Sequence, residues 1–153
     1  MQEQTHPYCE YCNQPSVDKY HHLHKTYHDT HYGVLITNDQ ELFARLILEI
    51  NQAGLSWTTI LTKWDNFYRA YDQFDIEKVA MYTDKDIQRL LGDAGIIRNK
   101  LKVGAAIHNA QEIIRIQEQH GSFAQWIQVH ADHQPTLLEW QKIFKKQGFK
   151  FTG

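Results

Sequence analysis

Apolar residues recur at helical spacing along the chain from Asn38 onward, and no segment sustains the period-two alternation of a half-buried strand. Leu42, Phe43, Leu46, Ile47 and Ile50 form one stripe. It predicts a helix opened by Asn38, with Glu41 three residues on to close a capping box, and ended near Gly54. After Gly54-Leu55-Ser56, the spacing of Trp57, Ile60, Leu61, Trp64 and Phe67 predicts a second helix reaching about Tyr71. Thr83 with Asp86 starts a third, bearing Ile87, Leu90 and Leu91. The Gly92-Asp93-Ala94-Gly95 turn separates it from a longer helix carrying Leu101, Val103, Ile107, Ala110, Ile113 and Ile114 toward Gly121. Two helices joined by a tight glycine turn make a helical hairpin. Ser122 opens a short helix with Phe123, Trp126 and Ile127; beyond Pro135, Thr136 and Glu139 cap a last one through Trp140, Ile143 and Phe144 to Gly148. The expected class is all-α, with residues 38–153 as the helical domain. Residues 1–37, broken by Gln14-Pro15-Ser16 and poor in apolar periodicity, read as an irregular N-terminal arm.

Composition narrows the setting. The 153 residues are enough for one well-packed domain, and a hydrophobic share of 42% with 4 Trp, 8 Tyr and 7 Phe belongs to a folded globule. No apolar run approaches the roughly 20 residues needed to cross a bilayer. The polar start from Met1 to Pro7 lacks the apolar stretch of a signal peptide, so a cytoplasmic protein is expected. A formal net charge of -2 argues against a protein that coats nucleic acid, because sequence-independent binding neutralises many phosphates. Any DNA contact must be local, and basic clusters exist at Arg98, Lys100 and Lys102 and again at Lys142, Lys145, Lys146 and Lys150.

Three constellations offer chemistry. At the hairpin, a helix N-terminus presents free N–H groups that hold a phosphate. Gly95 permits close backbone approach, and Arg98, Lys100 and Lys102 add charge for neighbouring phosphates. In Leu48 to Trp57 one acid, Glu49, sits in an otherwise apolar helix end before an amide pair and a tryptophan. Facing a pocket of Trp57 and nearby tyrosines, it would offer a methylated, cationic purine a negative charge, a hydrogen-bond acceptor and flat aromatic faces. Spacing alone favours the plainer readings, a packing corner and a surface glutamate beside a core tryptophan. The third cluster, Cys9, Cys12, His21, His22, His24, His28 and His31, holds thiolate and imidazole donors of the kind that bind zinc, yet no second cysteine pair follows.

Four segments, in order, resemble the DNA-3-methyladenine glycosylase I family. They are Tyr27-His28-Asp29 followed by Gly33-Val34; Glu49-Ile50-Asn51-Gln52-Ala53-Gly54-Leu55-Ser56-Trp57; Asp93-Ala94-Gly95-Ile96-Ile97-Arg98; and Gly148-Phe149-Lys150-Phe151-Thr152-Gly153. The likeness spans about Tyr27 to Gly153. It implies a helix-hairpin-helix glycosylase fold that flips a damaged nucleotide out of double-stranded DNA and hydrolyses the N-glycosidic bond of 3-methyladenine. Carried over by position, Glu49 would hydrogen-bond the base, Trp57 and Tyr27 would line its pocket, and the hairpin from Gly92 to Lys102 would grip the backbone. His28 would be a zinc ligand, with Cys9 and Cys12 as further candidates. The protein is expected to act as a monomer.

The resemblance also marks departures. Ile50 stands where the family has a small residue, and His31-Tyr32 where it has an acidic residue and tryptophan. Family members continue with another helix and a His/Cys pair, so the resemblance implies a shortened chain with an incomplete structural zinc site. The alternative is a catalytically impaired relative that binds DNA through its hairpin.

Overall fold

The computed structural model describes residues 6–153, and every regular element among them is helical. The predicted stripe from Leu42 to Ile50 is α3, Asp39–Gln52, whose buried face carries Phe43, Ile47, Leu48 and Ile50. Asn38 caps it by accepting from the Glu41 N–H at 3.1 Å. Asp39, in its first turn, reaches across the molecule instead: its carboxylate accepts from the backbone N–H groups of Phe123 and Ala124 at 2.9 and 2.8 Å. One acid thus anchors the start of another helix, α9, Phe123–Ala131.

The centre of the molecule is α8, Lys100–His120, which buries Val103, Ala106, Ala110, Ile113 and Ile116 along its length. Around it pack α3, α9, α7 (Asp84–Leu91) and the short α6 (Ile76–Ala80). Their apolar side chains merge into one cluster from Phe43 to Phe149. Capping boxes open α7 and α10, Leu137–Gln147, whereas at α3 the expected box is half formed, with Asn38 capping and no return bond from Glu41. Gly121 and Gly148, at φ of +88° and +108°, close α8 and α10 in a conformation that a side chain would strain.

The helix expected from Trp57 to Tyr71 is instead two, α4 (Trp57–Thr62) and α5 (Trp64–Ala70), which meet at Lys63. Ile60 of the first and Phe67 of the second both enter the core, with 0% exposure each. The segment before α3 also differs from expectation. It folds into α1 (Pro7–Asn13) and α2 (His21–Thr30), packed on each other, with α2 against α4. Its pattern is hidden because its interior is polar-aromatic: buried His24 holds Tyr8 Oη at 3.0 Å through Nδ1 and Thr58 Oγ1 at 2.7 Å through Nε2. No helix among the described residues is long and apolar enough to cross a membrane.

Candidate active site

Side chains from α1, α3, α4 and α5 converge on Tyr27. It lies on the inner face of α2, 8% exposed, with its ring 5.2 Å from that of Trp57 in an edge-on arrangement. Trp57 is the first residue of α4, where Ser56 accepts from the Thr59 N–H and fixes the start of the helix. His31 stacks parallel to Tyr27 at 5.9 Å, and Tyr8, Tyr32 and Trp64 complete an aromatic surround at 6.5, 6.4 and 6.2 Å. A cavity of about 590 Å³ borders Tyr27 together with His31, Leu61 and Trp64; Glu49 and Trp57 lie outside its lining.

Glu49 stands in the last turn of α3, one turn beyond Arg45. Glu49 is solvent-exposed, so a glutamate buried in a pocket of Trp57 and tyrosines is not what the chain builds. Its protein-facing side is nonetheless desolvated, which pushes the carboxyl above the usual glutamate range, while the Arg45 guanidinium pulls the other way. No hydrogen bond reaches its oxygens from the described residues, leaving the acceptor free for a ligand. Tyr27 feels the same neighbours: burial raises its phenol, Arg45 opposes, and the Glu49 charge adds to the rise.

Arg45 was not among the residues picked out from sequence. Its Nη1 donates to Tyr27 Oη, its Nη2 donates to the carbonyl of His31 at 2.9 Å, and its guanidinium carbon lies 4.8 Å from the Tyr27 ring centre. The signal was its spacing, four residues before Glu49, which puts both on one face of a helix.

The hairpin residues part company. Arg98 and Lys100 are exposed beside the N-terminus of α8, as expected of phosphate ligands. Asn99 already caps the Leu101 and Lys102 N–H groups, at 3.0 and 3.2 Å. Gly92 ends α7 with ordinary helical φ and is exposed. At Gly95 a side chain would meet Asn66 at 3.1 Å and the Asp93 carboxylate at 3.0 Å, so the packing of α5 against the turn favours glycine there independently of any phosphate. Lys102, expected on a phosphate, is 5% exposed. It turns inward because its Nζ donates to the carbonyls of Asn51 and Ala53 at 2.8 and 2.7 Å.

The thiol and imidazole groups are not gathered. Cys12 is buried with its Sγ on the His24 carbonyl, Cys9 is half-buried, and His28 holds Asp29 at 3.0 Å while stacking on Tyr32. Among the described residues, no three His, Cys, Asp or Glu side chains come together in a way that fits the four-coordinate geometry of structural zinc.

Comparison with known proteins agrees with this architecture. Residues 17–147 match the family described as methyladenine glycosylase. DNA-3-methyladenine glycosylase 1 of Escherichia coli is 38% identical over 147 residues, covering 86% of this chain and 79% of that protein. A crystal structure of 3-methyladenine DNA glycosylase I superposes with a TM-score of 0.81 at 35% identity, over 93% of this chain and 85% of the other. A variant of 3-methyladenine DNA glycosylase I in complex with 3-methyladenine gives 0.82 at 29% identity, over 94% and 84%. By family match, sequence identity and fold together, this chain belongs to the methyladenine glycosylase family.

Proposed function

We propose that the protein removes 3-methyladenine from alkylated duplex DNA by hydrolysing its N-glycosidic bond, after the damaged nucleotide leaves the base stack. The observation that carries this reading is the free acceptor of Glu49, whose charge reaches Tyr27, itself packed edge-on against Trp57, in a chain whose relatives are named for this activity. An adenine nucleotide methylated at N3 is cationic. A carboxylate pairs with it more strongly than with a neutral base, and aromatic faces add stacking and cation–π attraction.

Hydrolysis joins a water oxygen to C1′ as the C1′–N9 bond breaks; the bonding pair neutralises the departing base, and the water loses one proton to solvent. That base leaves uncharged without prior protonation, so no strong general acid is needed; the protein supplies selection and placement. Arg98 and Lys100 hold the backbone without reading sequence.

The experiment is incubation of purified protein with methylated duplex, followed by chromatography of released bases. Free 3-methyladenine is the expected product. Salt-dependent duplex binding with no released base would instead identify a DNA-binding relative.

A further inference from the structure

Lys102 begins the hairpin's second helix, yet its ammonium lies under the end of the helix that bears Glu49. Helix α3 has no basic residue in its last turn, so its C-terminal carbonyls, where the helix dipole is negative, take their cation from α8 instead. The two oxygens it binds flank the place where the chain leaves the helix. Asn51 is in the final turn; Ala53 is the C-cap, with non-helical ψ of 118°; Gly54 follows at φ +80°. Gln52 Nε2 closes the turn on the Leu55 carbonyl at 2.8 Å, and Ser56 then starts α4 at Trp57. Glu49 precedes this turn by one helical repeat and Trp57 follows it, so whatever fixes the Asn51 and Ala53 carbonyls sets the carboxylate and the indole relative to each other.

A lysine buried here is not a filler of space. Taking an ammonium out of water is costly unless its donors are satisfied, and an apolar residue of the same length would occupy the volume without that cost. The charge is retained where it bonds two carbonyls of the site and lies two residues from exposed Lys100.

We infer that Lys102 is a positioning residue for base excision: it ties the DNA-gripping hairpin to the Glu49–Trp57 segment, so that backbone grip and base pocket keep one register. This rests on the function proposed above. Buried, with its ammonium on the Asn51 and Ala53 carbonyls, Lys102 acts through the turn.

The test compares wild type, Lys102→Met and Lys100→Ala, with circular dichroism to establish that each is folded at the assay temperature. Lys102→Met should lower kcat for 3-methyladenine release at least tenfold, with KM, undamaged-duplex affinity and its salt slope within twofold of wild type. Lys100→Ala should instead weaken duplex binding and reduce the salt slope by about one. In Lys102→Ala, ethylammonium chloride should restore part of kcat where sodium chloride at equal ionic strength does not. Amide exchange of residues 53–57 should quicken more than tenfold in Lys102→Met, while α6 and α7 keep wild-type protection. Unchanged kcat and unchanged exchange in folded Lys102→Met would overturn the inference, as would a loss confined to duplex affinity. Absence of base release by wild type would sink the proposed function instead, and exchange at residues 53–57 would still decide whether Lys102 holds the turn.

Discussion

Arg45 and Glu49 are one helical turn apart and pull the site's protonation in opposite directions. Burial raises the Glu49 carboxyl, so its ionised form, the one that pairs with a cationic base, is lost as pH falls through a value above the ordinary glutamate range. Arg45 restrains that rise. Arg45→Met removes the restraint, so the acid limb of the kcat/KM profile for excision should move to higher pH. It should also lower the plateau, because Tyr27 loses the hydrogen bond that holds its hydroxyl. Coincident acid limbs in variant and wild type would show that Glu49 does not govern that limb. At this scale residue type and spacing mark Glu49 as an isolated acid among apolar residues, and the family resemblance is what gives it a part in the site. The sequence was silent where two helices meet. Nothing local distinguishes Lys102, which bonds a turn some fifty positions away, from exposed Lys100.

Among the elements, α3, α7, α8, α9 and α10 were legible because each pairs a cap with an apolar stripe. The division of α4 from α5 was not, since the stripe from Trp57 to Phe67 keeps helical phase across Lys63. Nor were α1 and α2, whose interior is built from tyrosine, histidine and cysteine and makes no apolar period. The chain after α10 is held differently again. Asn109, fully buried in α8, pairs with the backbone of Lys150 twice, accepting its N–H at 2.8 Å and donating to its carbonyl at 2.9 Å. His108 Nε2 meets the Gly148 carbonyl at 2.7 Å beside it. Asn109→Ala leaves two backbone groups unpaired at a cost of about 1–3 kcal/mol, a fall of several degrees in Tm. Calorimetry checks this; an unchanged Tm would mean the segment from Gly148 to Lys150 draws its order from Phe149 burial alone.

For the whole molecule, a net charge of -2 confines DNA attraction to local basic groups, and the two faces of the α8 N-terminus divide the work. Exposed Arg98 and Lys100 are available to phosphate, whereas Lys102 is committed to the site. The arm's donors are committed too. With Cys12 bonded inward and no cluster of three donors among the described residues, zinc should be held weakly: after dialysis against a chelator, well under one ion per chain should remain by atomic emission. One zinc per chain surviving that treatment would require the arm to rearrange around the metal. The central claim is that Glu49 captures a charged base, and Glu49→Gln tests it by keeping shape while removing charge. A charge-assisted hydrogen bond is worth roughly 1.5–3 kcal/mol, so excision of 3-methyladenine should fall roughly ten- to a hundredfold. Affinity for undamaged duplex should stay at the wild-type value. Wild-type excision kinetics in Glu49→Gln would contradict the account and leave Glu49 an exposed helix residue with no part in the chemistry.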